Sequence, residues 1–386
     1  MTSRRVRHYA SGEVWELDWS GGKWVSSRRL ADDAEADELI APALVDLQIN
    51  GRAGCDFLDP AINVESIERL ARGLDQDGVG RALATVTTQS FERIDGALRM
   101  IRQARDVSAA VRERLVGIHL EGPYLSPHDG PRGAHPLAHI RPPSIDEFAR
   151  WQESAGGAIR LVTVSPEYAE SPDFIRALVK QEVLVSLGHL DATRDQIAAA
   201  VDAGATLSTH LGNGAHGQLP RHPNYLWSQL AEDRLVAMVI ADGHHLPDEV
   251  LHCFVRCKTA SRIVAVSDMT GLGGMPPGLY EQSSLGAVEV LENGRLVVAG
   301  QRQYLAGAAL PLWQAIGRLS RVTDLDVRQA IDACSVHPAR LLGEEAELNL
   351  DDPGRCHAIL LRPTHDEVAW HLSGVLRFGD VELLAE

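Results

Sequence analysis

The chain has no apolar run long enough to cross a membrane, which excludes a helical membrane span. Its first residues, Met1-Thr2-Ser3-Arg4-Arg5-Val6-Arg7, are basic, but no signal-peptide core follows them, so no secretory leader is expected. Cysteine is scarce. Cys55, Cys253, Cys257, Cys334 and Cys356 form no CxxC pair, and only Cys253 and Cys257 share a face of an expected helix. An odd, scattered set argues against a disulfide framework and for reduced thiols in a cytoplasmic protein. Positive charge is also in deficit: 37 Lys and Arg against 53 Asp and Glu leave a net charge of -16. That balance disfavours nucleic acid or an anionic membrane as a partner, but it permits a local basic pocket for a small anion. There is no internal repeat and no low-complexity segment.

What is present is the composition of an ordinary globular protein, 45% hydrophobic and 23% charged over 386 residues. That length suits one large domain with a minor one. Near the N-terminus, Glu13-Val14-Trp15-Glu16-Leu17-Asp18-Trp19 alternates apolar and polar residues with period two, and Gly21-Gly22 is a turn signal. Segments 358–361, 368–372 and 375–378 have the same strand character at the other end of the chain. Each set is too small to fold alone. The two are therefore expected to pair into one small β-sandwich built from both termini, residues 1–41 and 346–386.

Between them, apolar runs alternate with helix-period segments, the pattern of βα units around a parallel sheet. Strands are expected at 43–49, 82–87, 115–121, 159–164, 183–188, 205–210, 236–241 and 263–268. Amphipathic helices are expected at 64–75, 93–107, 171–180 and 192–203. Eight such units predict an α/β fold, a (β/α)8 TIM-like barrel spanning 42–345. After the eighth strand, 270–304 reads as an irregular stretch with a hairpin at 287–298, and helices follow from about 308 to 342. Gly271-Leu272-Gly273-Gly274 lacks the Lys-Ser/Thr pair of a phosphate loop and reads as a flexible loop over the site. Trp227 is assigned to the core.

In a barrel of this kind catalysis sits at the C-terminal ends of the strands. Strand three ends in Glu121, strand five in Gly188-His189, strand six in Thr209-His210 and strand eight in Ser267-Asp268. A carboxylate and two imidazoles are a common ligand set for a catalytic zinc with an open position for water. Asp268 is then free to act as base on that water.

The strand tips lie within ordered blocks: Pro42-Ala43-Leu44-Val45-Asp46-Leu47-Gln48-Ile49-Asn50-Gly51, His119-Leu120-Glu121-Gly122-Pro123-Tyr124-Leu125, Gly133-Ala134-His135, Ser186-Leu187-Gly188-His189, Thr209-His210-Leu211 with Asn213, Ile240-Ala241-Asp242-Gly243-His244-His245, Val266-Ser267-Asp268, Leu305-Ala306-Gly307 and His337-Pro338-Ala339-Arg340. Together they resemble the N-acetylglucosamine-6-phosphate deacetylases of the amidohydrolase superfamily. The resemblance implies one divalent metal per chain on Glu121, His189 and His210: zinc, with iron and manganese also accepting the set. It implies Asp268 as catalytic base and His135 at the acetyl carbonyl. Asn213, the backbone at Gly214, His245, Leu305 and Ala306 would contact the sugar, and Arg221 its phosphate. The implied partner is a small amino-sugar substrate, and the implied assembly a homodimer.

Two departures stand out. Many amidohydrolases carry His-x-His at the end of strand one and so build a second metal site. Here that place reads Gln48-Ile49-Asn50, and an amide is a poor zinc ligand beside imidazole, so one metal is expected. After His210 the family's aromatic and Ala-Met residues give way to Leu211-Gly212-Asn213-Gly214-Ala215-His216-Gly217, which removes bulk from the sugar pocket. Deacetylation of N-acetylglucosamine 6-phosphate is the activity expected. An unphosphorylated N-acyl amino sugar, an N-acyl amino acid or a cyclic amide remain alternatives, as does a non-catalytic barrel serving as a binding module.

Overall fold

The computed structural model describes residues 2–31, 34–283, 286–299, 301–305, 307–344, 348–364 and 369–384. Eight parallel strands follow one another around the larger body, each paired with its neighbour in sequence. They are β1 (Leu44–Ile49), β2 (Val79–Thr87), β3 (Leu115–Glu121), β4 (Ile159–Val164), β5 (Leu184–Leu187), β6 (Leu207–Ser208), β7 (Val236–Val239) and β8 (Ile263–Ala265). Most of their residues are buried, as strands covered on both faces require. The outer faces pack on helices such as Val64–Gln76, Phe91–Val107, Ser171–Val179 and Arg194–Asp202. One end of the interior is filled by Val45, Leu47, Leu83, Leu161, Met238, Val264 and Leu342, so the barrel has an apolar floor and no pore.

The ring closes without a regular ladder between β1 and β8. Asp268 N–H donates to Gln48 O at 2.9 Å, Asn50 N–H donates to Met269 O at 2.8 Å, and Ile49 bridges Met269 in parallel. Strand six is shorter than the expected 205–210, because the chain leaves extended geometry at His210, whose φ is +26°.

The strands expected at both termini do join. Thr2–His8, Val14–Ser20, Lys23–Arg29, Leu39–Pro42, His357–Pro363, Trp370–Arg377 and Asp380–Leu383 form one sheet that closes on itself. The expected sandwich is thus a small barrel, its two sides facing each other across Val6, Leu17, Trp19, Trp24, Ile40, Leu360 and Leu376. Closure leaves no free sheet edge. The expected boundary at 346 and the strand start at Val368 lie outside the described residues.

Beyond β8, Gly278–Ser283, Gly286–Val290, Leu296–Val298 and Gln301–Leu305 form a four-stranded antiparallel sheet that contains the expected hairpin. The glycine loop before it is not free. Gly54 N–H donates to Gly271 O at 2.7 Å, Ala53 N–H donates to Gly273 O at 2.8 Å, and Leu272 is buried. Trp227 is not core. The helix Tyr225–Ala231 buries Tyr225, Gln229 and Leu230 and leaves Trp227 56% exposed on its other face.

Candidate metal centre and active site

Glu121, His189 and His210 meet at the C-terminal mouth of the barrel, all buried. His189 Nε2 lies 3.1 Å and His210 Nε2 3.0 Å from Glu121 Oε1, and the two nitrogens are 3.1 Å apart. The imidazole rings stand at 88° to each other. Two ring nitrogens and a carboxylate oxygen of buried side chains, crowded around one point, is an arrangement a shared cation stabilises. His189 Nδ1 sits 2.8 Å from the Pro131 carbonyl. Donation of an N–H there leaves the Nε2 lone pair for an ion, the usual arrangement of a ligating histidine. Among the described residues, His210 Nδ1 has no such partner. The donor set therefore fits a divalent transition metal such as zinc.

Three of the converging residues stand on left-handed backbone: His189 (φ +51°), His210 (φ +26°) and Asp268 (φ +50°). Such conformations cost about 1–3 kcal/mol each for non-glycine residues and persist where the surroundings over-determine them. Gly214 (φ +55°) lets the loop after β6 close over His189: a Cβ there would stand 2.5 Å from His189 Nδ1.

Beneath the cluster lies a buried polar layer. His119 Nε2 is 2.7 Å from Thr163 Oγ1, which is 2.7 Å from Thr209 Oγ1, and Thr209 Oγ1 donates to Ser186 Oγ at 2.6 Å. Burial pushes His119 down to about 4, so it stays neutral. His135 comes from the loop after β3. Its Nε2 is 3.3 Å from His189 Nε2 and 4.0 Å from Glu121 Oε1. Burial, and then the neighbouring His189, push it down to about 3.

Burial opposes the charge on Glu121, but the two imidazoles facing it hold its carboxyl well below the usual range. Asp268 differs. Burial, reinforced by the Glu121 carboxylate, pushes it up to about 6, while His210 and His245 oppose that rise. Its Oδ1 accepts from Asn50 Nδ2 at 2.7 Å and from Gln48 Nε2 at 3.1 Å. The carbonyl ends of both amides have no partner among the described residues.

The remaining expected residues divide into two groups. Asn213 folds back so that its Nδ2 donates to His210 O at 3.1 Å. His245 is held by Asp242, with Nδ1 2.7 Å from Oδ2 and side chains only 8% exposed. Asp242 also accepts the backbone N–H of His244 and His245. The dyad escaped sequence reasoning because β7 was expected to end at 241, one residue before Asp242; the rule of polar residues at strand tips would have found it. Leu305 is half-buried at the end of the strand Gln301–Leu305, and Ala306 lies outside the described residues. Arg221 is exposed and hydrogen-bonds no described residue, so the structure does not bring it to the cluster. Its chain neighbour Pro220 lines a groove of about 370 Å³ together with Thr193, Arg194, His216, Asn224 and Tyr225.

Comparison with known proteins gives a consistent picture. The sequence profile described as Amidohydrolase family matches residues 39–348. An N-acetylgalactosamine-6-phosphate deacetylase of Escherichia coli O157:H7 is 35% identical over 319 residues, 82% of each chain. An N-acetylglucosamine-6-phosphate deacetylase of Bacillus subtilis (strain 168) is 31% identical over 312 residues, 80% of this chain and 77% of that one. The N-acetyl-D-glucosamine-6-phosphate deacetylase of Mycobacterium smegmatis superposes with a TM-score of 0.80 at 26% identity, covering 99% of this chain and 100% of that one. A mutant of that enzyme in complex with N-acetyl-D-glucosamine-6-phosphate superposes with a TM-score of 0.78 at 25% identity, over 99% of both chains.

Proposed function

Because the chain belongs to the amidohydrolase family, and within it to the N-acetylglucosamine-6-phosphate deacetylases, we propose that it hydrolyses the acetamide of N-acetylglucosamine 6-phosphate to glucosamine 6-phosphate and acetate. The observation that carries this reading is the meeting of Glu121, His189 and His210 about a point beside a half-buried carboxylate, Asp268. We assign the three as ligands of one divalent metal, zinc first, with iron or manganese as alternatives. Such an ion, when bound, polarises an amide carbonyl and acidifies water to near neutrality.

The chain's own groups supply the rest. Asp268 takes a proton from the attacking water and returns it to the departing amine. His135, neutral and a donor, faces the acetamide oxygen as it gains charge. Asn213, Gly214, His245, Leu305 and Ala306 hold the sugar, and Arg221 its phosphate. The catalytic barrel is then 42–345, and the composite β domain is 1–41 with 346–386.

The partner is a small amino sugar. No helix among the described residues is long and apolar enough to cross a membrane, and the five cysteines are unpaired, which suits the reducing cytoplasm. We read the enzyme as a homodimer, the assembly that its resemblance to the deacetylase family implies.

A second substrate has its own support, since the relative at 35% identity is named for the galacto epimer. Acetate release from N-acetylglucosamine 6-phosphate, N-acetylgalactosamine 6-phosphate, their unphosphorylated forms, an N-acetyl amino acid and a cyclic amide tests both. Preference for an N-acetyl hexosamine phosphate supports the reading. Activity on the amino acid or cyclic amide alone, or on none, sinks it.

A further inference from the structure

β1 gives no residue to the cluster of Glu121, His189 and His210, yet it and the residue after it carry three polar side chains at alternate positions, Asp46, Gln48 and Asn50. Asp46 is 1% exposed and Gln48 fully buried. Uncompensated burial of such groups is costly, so their partners explain why they are tolerated.

Asp46 is spent on the backbone of the strand opposite. Its Oδ1 accepts from Ser267 N–H at 3.2 Å and from Gln48 N–H at 3.1 Å, and its Oδ2 accepts from the Ser267 hydroxyl. Ser267 Oγ in turn accepts from Met269 N–H at 3.1 Å. Asp268 N–H donates to Gln48 O at 2.9 Å. Residues 267, 268 and 269 are therefore all anchored, which is the over-determination that a left-handed aspartate needs. Residues at alternate positions of an extended strand share a face. From it Asp46 reaches Ser267, and the next two polar residues reach the Asp268 carboxylate.

Gln48 and Asn50 complete the hold. Both amide N–H groups point to the same oxygen, Asp268 Oδ1. Reversed amides would set two oxygens against a carboxylate, so the chemistry fixes their orientation. No described residue hydrogen-bonds Oδ2. The two oxygens are thereby made unequal: Oδ1 is clamped, and Oδ2 is left to exchange a proton.

We propose that Asp46, Gln48 and Asn50 are the positioning residues of Asp268: Asp46 sets the turn on which it stands, and the two amides hold Oδ1 so that Oδ2 alone faces the reacting water. This rests on the reading of Asp268 as the base. The positions that a second metal's histidines would take are here occupied by the base's holder.

The test is a set of double-mutant cycles with Asp268→Asn. Asn50→Leu and Gln48→Met keep side-chain volume and remove the donor; Ser267→Ala removes the hydroxyl's bond to Asp46 Oδ2, and Ser267→Thr restores a hydroxyl. In the wild-type background each of the first three should lower kcat on the order of tenfold to a hundredfold, the scale for a misplaced catalytic group, with KM and metal content little changed. Ser267→Thr should recover much of that loss. In the Asp268→Asn background the same changes should alter residual turnover less than about twofold, because residues acting through one group are non-additive. Equal losses in both backgrounds, or loss of metal with turnover, would overturn the proposal. Crystal structures of Asn50→Leu and Gln48→Met decide independently of any substrate: Asp268 should leave its rotamer, and a carboxylate that stays in place refutes the hold. A wild type inactive on every acetylated sugar would sink the proposed function alone.

Discussion

Gly214 lies against the ring of His189 so closely that a methyl group built on it would be 2.5 Å from Nδ1 and 2.7 Å from Cε1. The same nitrogen is 2.8 Å from the Pro131 carbonyl, so the ring is gripped from two loops. Gly214→Ala should break this grip, because the new Cβ meets the ring and the left-handed backbone costs an L-residue about 1–2 kcal/mol. We expect weaker metal retention, on the order of tenfold, as for loss of a group supporting a ligand. Chelator competition followed by elemental analysis measures it. A variant that holds metal as the wild type does would show that the loop does not constrain His189.

Metal stoichiometry follows from the amides. Gln48 and Asn50 direct their N–H groups at Asp268 Oδ1, and an amide oxygen is a poor zinc ligand beside imidazole. The purified protein should carry about one tightly held transition metal per chain, the number that one Glu and two His can hold. Removing it should abolish turnover, and readdition should restore it. Two equivalents, both required for activity, would contradict the assignment.

Asp268→Asn separates base from ligand. The asparagine can still present an oxygen to Asn50 and Gln48, so the fold and metal content should survive. Turnover should fall by about a hundredfold or more, the scale for losing a general base. Near-normal turnover would mean that another group removes the proton.

The pH profile has a definite sign. A base works deprotonated, so catalytic efficiency should rise with pH through the apparent pKa of Asp268. Burial first, and then Glu121, push that carboxyl up to about 6, and a bound cation pulls it down. The acid limb should therefore fall at or below about 6. A limb well above 7 at saturating metal would point to a different essential group.

Much of this was legible in the sequence because the barrel strands are buried apolar runs with a polar residue at the tip. β3 begins at Leu115 and ends at Glu121 as expected, since a buried run closed by Gly122-Pro123 leaves little freedom in its bounds. The strand expected to end at His210 does not, because φ at a strand tip is set by what the side chain must reach. Gln48 and Asn50 read as vacated ligand positions, whereas their partner lies 220 and 218 residues further along the chain. No local pattern shows such a pairing. Trp227 is missed for another reason: on a helix of 7 residues periodicity barely distinguishes the faces, and the buried ones are Tyr225, Gln229 and Leu230.

Recognition of the 6-phosphate falls to a cation outside the metal cluster. Arg221 is exposed, while Pro220 and Asn224 of the same loop line a groove that Arg194, the first residue of the helix Arg194–Asp202, also lines. Arg194 in the groove and Arg221 next to Pro220 are thus two candidate cations, each suited to bidentate contact with an anion. We assign the 6-phosphate to Arg221. Arg221→Ala should then weaken catalytic efficiency on N-acetylglucosamine 6-phosphate by about 1.5–3 kcal/mol, the range for a hydrogen bond to a charged group. It should barely alter the slow reaction of unphosphorylated N-acetylglucosamine, and Arg194→Ala should leave the ratio of the two substrates near that of the wild type. If Arg194→Ala erases the preference instead, the phosphate sits deeper in the groove. If Arg221→Ala slows both substrates equally, or the wild type prefers the unphosphorylated sugar, Arg221 does not bind phosphate. The proposal of deacylation would stand in each case, because it is argued from Glu121, His189, His210 and Asp268 rather than from this loop.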